Sequence, residues 1–296
     1  MQFNIFCNGN APEGNFRNYL NLLFYSMTDL GHDVVIERRW MPSGFINVIF
    51  DPLFAIKHQR KEIEEMIERK IPFGLMDYEI FCDESFNFGT FPLTKDEHEF
   101  LKKFIASSSF VWTGGHLNYL NYKKYNEKTV FLRYGYHQNV FEIPPSSKKE
   151  IDVFFFGTVR GEDPSALFRQ GVLRLLGELG LNVFYQECGA SVLSRNSLIR
   201  LSKINLEIPH LPPFAHTSPQ RIVYLANNAI CPIALPAVDE EGYQQYAKVA
   251  AIQEIADVCR EWVDQKRYLT EGDRVYELIK NDPMNRILEE AFDLIF

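Results

Sequence analysis

Two segments in the second half of the chain combine residue types that bind anionic groups. The first, residues 156–161, follows an apolar run and supplies a glycine (Gly157), a hydroxyl (Thr158) and a guanidinium (Arg160). A glycine permits close backbone approach, and the other two groups donate hydrogen bonds, so the loop suits a diphosphate. A glycine after a strand is more often ordinary turn chemistry, so this loop alone does not identify a phosphate site.

The second segment, residues 217–227, contains a well-specified helix start. Thr217 or Ser218 can cap the helix, and Pro219 suits its first turn. Arg221 falls in that turn, close to backbone N–H groups that have no partner inside the helix. A helix N-terminus beside an arginine favours an anion site. Arg221 could equally be a solvated helix residue, and Arg160 and Arg221 could pair with surface carboxylates such as Glu162 or Asp163.

The elements that must position these segments alternate between strands and helices. In the first half, strands are predicted at residues 3–7, 34–36, 46–50, 73–76, 110–112 and 129–132, with helices at 15–30, 57–70 and 95–106. The pattern restarts with strands at 151–156, 183–185, 204–208 and 229–231 and helices at 166–179, 194–202, 219–227 and 284–296. This alternation predicts an α/β protein with two Rossmann-like halves.

A segment of linker composition separates the two halves. Residues 142–150 contain paired prolines, serines and lysines, which neither continue a helix nor need a core. We therefore expect an N-terminal domain at 1–142 and a C-terminal domain at 151–296, with a cleft between them. Ligands of open parallel sheets bind beyond the carboxyl ends of the strands, so Thr158, Arg160 and Arg221 are expected to converge there.

The composition of the chain disfavours several classes of partner and site. Its 296 residues are 46% hydrophobic and 24% charged, as in globular domains, and the formal charge of −8 disfavours nucleic acid as a partner. Five widely spaced cysteines form no CxxC pair, which argues against a disulfide framework and a zinc site. The N-terminus lacks a signal-peptide pattern and no run of about 18 apolar residues occurs, so we expect a cytoplasmic protein without an integral membrane segment.

Four segments, in this order, resemble the C-terminal domain of bacterial glycosyltransferase-like proteins of the CgeB or group 1 type. Residues 151–157 match its strand and glycine loop, and residues 184–199, with Arg195, match its "yG…RD.lI" segment. Residues 203–208 match its "K..lN" strand, and residues 221–227, with Arg221, Tyr224 and Asn227, match its "R..YLLAN" helix. The resemblance covers about residues 150–265.

The resemblance implies a GT-B fold with a nucleotide sugar, UDP- or GDP-linked, held mainly by the C-terminal domain and an unidentified acceptor held by the N-terminal one. It implies transfer without a cofactor or an obligatory metal, because helix dipoles and basic side chains neutralise the leaving diphosphate. It also implies that the final helix, residues 284–296, crosses back to the first domain. The residues expected to bind the sugar donor are Gly157, Thr158, Arg160, Arg195, Ser218, Arg221, Tyr224 and Asn227.

The chain departs from the family pattern at two places. Where the family has a strand ending in Ser-Glu, residues 233–236 read Ile-Ala-Leu-Pro, and the usual Arg-Asp pair is Arg195-Asn196. A carboxylate that holds sugar hydroxyls is therefore missing from its usual place. The alternative interpretations are a catalytically inactive GT-B-like binding or assembly protein and a small-ligand-binding protein built from two α/β lobes.

An inverting transferase also needs a general base near the acceptor. The candidates in the first half are Glu13, in a glycine-containing turn, Asp77, after a predicted strand, and His116, after a glycine pair. Asp77 and Glu79 superficially resemble the metal-binding Asp-x-Asp of the other main glycosyltransferase fold, but nothing around them supports that fold, and no metal ligand is predicted. The mechanism could instead be retaining, in which case the substrate phosphate assists.

Overall fold

The computed structural model describes residues 1–7, 17–41, 43–77, 79–82, 85–86, 92–187, 191–212 and 215–296. The chain divides into two compact units. The first contains residues 1–12, 23–134 and 284–296, and the second contains residues 13–22 and 135–283. No helix within the described ranges combines the length and apolar character that crossing a bilayer requires.

The first unit is built on a parallel sheet. The strands of the unit, in chain order, are β1 (Gln2–Phe6), β2 (Asp33–Glu37), β3 (Ile46–Phe50), β4 (Phe73–Asp77), β5 (Phe81–Cys82), β6 (Ser85–Phe86), β7 (Phe110–Thr113) and β8 (Thr129–Phe131). Of these, β5 and β6 form a separate, small antiparallel pair. The main sheet has the order β2-β1-β3-β4-β7-β8, and all its neighbours run parallel. The near-continuous apolar character of β3 and β4 follows from burial on both faces.

Five helices alternate with these strands along the described chain. They are α1 (Arg17–Asp29), α2 (Pro52–His58), α3 (Arg60–Glu68), α4 (Lys95–Ser107) and α5 (His116–Tyr122), and residues 17–22 of α1 belong to the second unit. The start of α4 is fixed by a capping box in which Thr94 and Glu97 bond to each other's backbone N–H groups. The helix predicted at 57–70 is interrupted at Gln59, so that α2 and α3 are separate helices.

The second unit repeats this architecture with a five-stranded parallel sheet. Its strands are β9 (Ile151–Phe156), β10 (Val183–Gln186), β11 (Ser202–Glu207), β12 (Ile233–Ala234) and β13 (Lys248–Val249), in the order β10-β9-β11-β12-β13. Its helices are α6 (Pro164–Glu178), α7 (Val192–Leu201), α8 (Pro219–Asn227), α9 (Ile255–Asp264) and α10 (Arg267–Ile279). The strand predicted at 229–231 lies instead at Ile233–Ala234, because Ala229 adopts a positive φ of 55° and the chain turns there.

The division between the units falls after Tyr134, upstream of the proline-containing segment at 142–150. Residues 135–143 belong to the second unit because two asparagines at the end of α8 hold them. Asn227 accepts a hydrogen bond from the N–H of His137 at 3.0 Å, and Asn228 accepts from the N–H of Ile143 at 2.8 Å. Ile143 is also buried in a core cluster of this unit. These contacts join residues distant in sequence, which composition does not reveal.

The final helix, α11 (Met284–Ile295), packs within the first unit. The ring of Phe292 lies 5.6 Å from those of Phe3 and Trp112, measured between centroids. Lys128 donates a hydrogen bond to the carbonyl of Ile295 at 3.0 Å, which ties the end of the helix to the residue before β8. The chain therefore begins and ends in the same unit.

Candidate functional site

The loop after β9 and the first turn of α8 meet in the second unit. A Cβ atom added to Gly157 would lie only 2.9 Å from Nη2 of Arg221 and 2.8 Å from Cζ of Phe155. A larger residue at 157 would therefore force the guanidinium of Arg221 or the ring of Phe155 to shift. The two anion-binding segments predicted from the sequence are thus brought together at the carboxyl end of this sheet.

Arg221 is held by aromatic rings and a buried carboxylate. Its guanidinium carbon lies 4.9 Å from the centroid of the Phe155 ring and 5.0 Å from that of Phe156. It forms an ion pair with Glu207, the last residue of β11, whose side chain is 1% exposed. The other oxygen of Glu207 accepts from the backbone N–H of Ser218 at 3.3 Å. Glu207 therefore fixes both Arg221 and the residue that precedes α8.

Arg221 keeps hydrogen-bonding capacity beyond this ion pair. Its Nε atom is buried and has no hydrogen-bond partner among the described residues. A buried N–H without a partner costs free energy, and an oxygen of a bound anion would remove that cost. Ser218 occupies the position before α8 as predicted, but its side chain makes no capping bond there.

Two more arginines surround the same pair of aromatic residues. Arg195, on α7, is 3% exposed, and its guanidinium carbon lies 4.7 Å from the Tyr224 ring and 5.4 Å from the Phe156 ring. Arg169, on α6, lies 5.5 Å from the Phe155 ring and donates to the carbonyls of Ile208 and Thr158, each at 3.1 Å. Burial lowers the pKa of Arg195, because removal from water disfavours the charged form. The region is therefore rich in guanidinium groups.

The backbone of the 157–161 loop already binds a carboxylate. Glu187, directly after β10, accepts from the N–H of Arg160 at 2.9 Å and from the N–H of Val159 at 3.2 Å. The side chains of Thr158 and Arg160 are exposed. Asp163, considered above as a partner for the arginines, instead caps α6 by accepting from the N–H groups of Ser165 and Ala166.

All eight predicted donor-binding residues lie on the loop after β9, on α7, or at and within α8; they are Gly157, Thr158, Arg160, Arg195, Ser218, Arg221, Tyr224 and Asn227. Asn227 differs from the other seven in its contacts. It is 1% exposed, and its amide bonds to the backbone of His137, Gly135 and Val223. Among the described residues its side chain bonds to backbone groups, so it holds residues 135–137 in place; a contact to the sugar donor stays a prediction.

Sequence reasoning did not identify Glu207, Glu187 or Arg169 as site residues. Glu207 reads as an ordinary residue in the strand segment Ile-Asn-Leu-Glu-Ile. Its position at the carboxyl end of a strand could have identified it, because Arg221 was expected at that edge of the sheet and a carboxylate there can pair with it. Arg169 gave no comparable signal, since its position on α6 reads as a helix surface until the packing on Phe155 is known.

The candidate bases of the first unit lie in different environments. Asp77 ends β4, is 1% exposed, and accepts from the side-chain amide of Asn118 at 2.7 Å. Burial raises the pKa of Asp77 from 3.8 to about 7, against the lowering effect of hydrogen bonds from Thr113 and Asn118. His116 begins α5, is exposed, and its ring stacks on that of Tyr119 at 6.2 Å. Glu13 lies outside the described residues.

The described part of the chain contains no group of three or more His, Cys, Asp or Glu side chains placed to hold a metal ion. The carboxyl of Asp77 is buried, and the backbone carbonyl of Glu79 accepts a hydrogen bond from the side-chain amide of Asn118 at 2.6 Å. Asn118 therefore holds both residues at the start of the segment that leads to β5.

No family model and no curated protein matches this chain. Solved structures do match it. WaaG, a glycosyltransferase involved in lipopolysaccharide biosynthesis, is 13% identical with a TM-score of 0.56, over 99% of this chain and 98% of WaaG. A UDP-forming α,α-trehalose-phosphate synthase from Burkholderia xenovorans is 9% identical with a TM-score of 0.54, over 94% of this chain and 76% of that one.

TarM is 9% identical with a TM-score of 0.58, over 85% of this chain, which spans 54% of the length of TarM. The fold is GT-B. The predicted α/β class with two Rossmann-like parallel sheets is therefore confirmed, and the similarity to GT-B glycosyltransferases suggested by the four sequence segments agrees with these neighbours. At such low identity the GT-B likeness establishes the architecture, and the chemistry rests on the residues themselves.

Proposed function

We propose that this GT-B protein is a glycosyltransferase that moves a sugar from a nucleotide-sugar donor to an acceptor. The observation that carries the proposal is the meeting of Gly157 and Arg221, because a glycine loop and a helix-start arginine together suit a diphosphate. The unpartnered Nε of Arg221 adds a hydrogen-bond donor at the same place. One of the GT-B structures similar to this chain is a UDP-forming enzyme, which favours UDP as the nucleotide.

The arginines supply the chemistry that the reaction needs. When the bond between the sugar and the diphosphate breaks, negative charge grows on the leaving phosphate oxygens. Arg221 and the exposed Arg160 would neutralise that charge, and the buried Arg195 would add to the positive potential from behind Phe156. Arg221 is already paired with Glu207, so the additional positive charge comes from Arg160 and Arg195, and on that basis we propose that transfer does not require a metal ion.

In the first unit, the acceptor and a general base would have to lie near the ends of β4 and β7. His116 is the exposed candidate, and an imidazole nitrogen can accept a proton from an acceptor hydroxyl. Asp77 has a pKa raised by burial to about 7 but is 1% exposed, so it would act only through a neighbour or after a rearrangement. We therefore propose His116 before Asp77, and Glu13 remains a prediction.

A second candidate function is a GT-B protein that binds a ligand without transferring sugar. The specific observation in its favour is that β12 is followed by Leu235 and Pro236, where the family pattern has Ser-Glu. A missing sugar-binding carboxylate would weaken the hold on the sugar while leaving the diphosphate contacts in place. The two candidates differ in turnover, not in nucleotide binding.

Replacing Arg160 by alanine tests the phosphate site without touching the core, because Arg160 is exposed. A charge-assisted hydrogen bond contributes about 1.5–3 kcal/mol, so we expect UDP affinity to fall about tenfold to a hundredfold, measured by isothermal titration calorimetry. The matched control is Arg174→Ala, which removes an exposed arginine from α6 and is expected to leave the affinity unchanged. Equal UDP binding by wild type and Arg160→Ala would remove Arg160 from the site.

A further inference from the structure

The amides of the 157–161 loop are the groups that a phosphate of the sugar donor would use, and a carboxylate of the chain itself occupies them. Both oxygens of Glu187 lie within hydrogen-bond distance of the N–H of Val159, at 3.2 and 3.3 Å, and one of them also accepts from Arg160 at 2.9 Å. Two consecutive N–H groups directed at one carboxylate form an anion-binding concavity. The backbone of the loop therefore binds an anion, and that anion is a side chain of the protein itself.

The sheet places Glu187 at this position. Gln186 is in register with Phe156, and its carbonyl accepts from the N–H of Gly157 at 3.0 Å. The residue after Gln186 must therefore lie beside the loop that follows Gly157. The pairing of β9 with β10 fixes the backbone position of Glu187 without any contribution from its side chain. The carboxylate can therefore move away from the loop while the backbone of Glu187 keeps its position.

A second carboxylate, that of Glu207, likewise accepts a hydrogen bond from a backbone N–H, that of Ser218 before α8. Glu207 is more deeply buried than Glu187. Glu207 is 1% exposed and is paired with Arg221, so its removal from the site would strand both a buried carboxylate and a guanidinium. Glu187 is half-buried and bonds only to backbone N–H groups in the contacts described above. Of the two carboxylates, Glu187 is the one that can be displaced at moderate cost.

We propose that Glu187 is an internal competitor of the donor phosphate. Its carboxylate binds the amides of Val159 and Arg160, leaves them when the diphosphate binds, and so sets the affinity for the nucleotide. The inference rests on the proposed function. An N–H group cannot donate fully to two anions, and two negative charges at this distance repel each other, so binding exchanges one anion for the other.

The test is UDP binding to Glu187→Gln, measured by titration calorimetry on the full chain. Glutamine keeps the shape and an accepting oxygen but removes the charge, and we expect UDP to bind about fivefold to tenfold more tightly. Glu162→Gln is the matched control, because Glu162 is an exposed carboxylate in the same loop region that does not bond to these two amides. The control is expected to change the affinity by less than about twofold, as for a screened surface charge.

Glu187→Asp provides a second variant in case the glutamine variant is poorly folded. Aspartate keeps the charge but is one methylene shorter, so it should reach the amides less well and also tighten UDP binding. Unchanged or weaker binding in both variants, with UDP still bound by wild type, would overturn the competitor role and leave the proposed function standing. If none of the proteins binds UDP, the titrations are repeated with GDP, and absence of binding to both nucleotides would overturn the competitor role and the proposed function together.

Discussion

Replacing Arg221 by alanine is expected to lower the free energy of unfolding by about 3–5 kcal/mol. The reason is Glu207, whose carboxylate is 1% exposed and would keep only the N–H of Ser218 as a described hydrogen-bond partner. An unpaired buried carboxylate costs far more than the loss of a surface ion pair. Urea unfolding followed by circular dichroism measures the change directly.

The double variant Glu207→Gln/Arg221→Met is the control for this prediction. It removes both charges while keeping side-chains of similar length, so it should recover most of the stability lost in Arg221→Ala. A loss below about 1 kcal/mol in Arg221→Ala would show that water or another group compensates Glu207, and the buried pair would then be unimportant for the fold. The expected loss also means that Arg221→Ala is a poor test of nucleotide binding, for which the exposed Arg160 is better suited.

Asp77 is expected to make the stability of the first unit depend on pH. Its folded pKa is about 7 and its ordinary value is 3.8, so between those values the folded chain keeps a proton that the unfolded chain releases. Stability therefore falls as the pH rises through this window and remains low above it. The shift corresponds to a loss on the order of 4 kcal/mol between pH 4 and pH 8.

Asp77→Asn removes this titration and is expected to flatten the stability profile, measured by urea unfolding at pH 4.5, 6 and 8. The control variant is Asp33→Asn, which changes an exposed carboxylate of β2 and should keep the wild-type profile. If Asp77→Asn shows the same decline as wild type, other groups cause the decline and Asp77 is ionised in the fold at neutral pH.

Local signals were enough to predict the two segments of the site. The strand that ends at Phe156 lies where its apolar run indicates, and the helix begins at Pro219 as predicted, without a side-chain capping bond from Ser218. What they meet depends on sheet register and order, which no local pattern contains. Glu187 reaches the loop because β10 pairs with β9, and Glu207 reaches Arg221 because β11 lies on the other side of β9.

Asn227 is a second residue whose contacts could not be predicted from the local sequence pattern. Its place in the matched helix segment indicated a ligand contact, because it follows Arg221 and Tyr224 in the family pattern. In the fold its side chain points to the backbone at 135 and 137, residues far away in sequence. An asparagine in such a motif can satisfy buried backbone groups as readily as a ligand, and only the tertiary structure separates the two roles.

The central claim is that the chain uses a nucleotide sugar as its substrate. The most direct measurement is the release of nucleoside diphosphate from UDP- and GDP-linked sugars, with and without EDTA. The wild-type protein and the Arg160→Ala variant are assayed separately and compared. We expect the wild type to release nucleoside diphosphate slowly from one of these donors, with water taking the place of the acceptor, and we expect this release to be unaffected by EDTA and reduced at least about tenfold in Arg160→Ala. No release and no binding of any nucleoside diphosphate by the folded wild-type protein would contradict it.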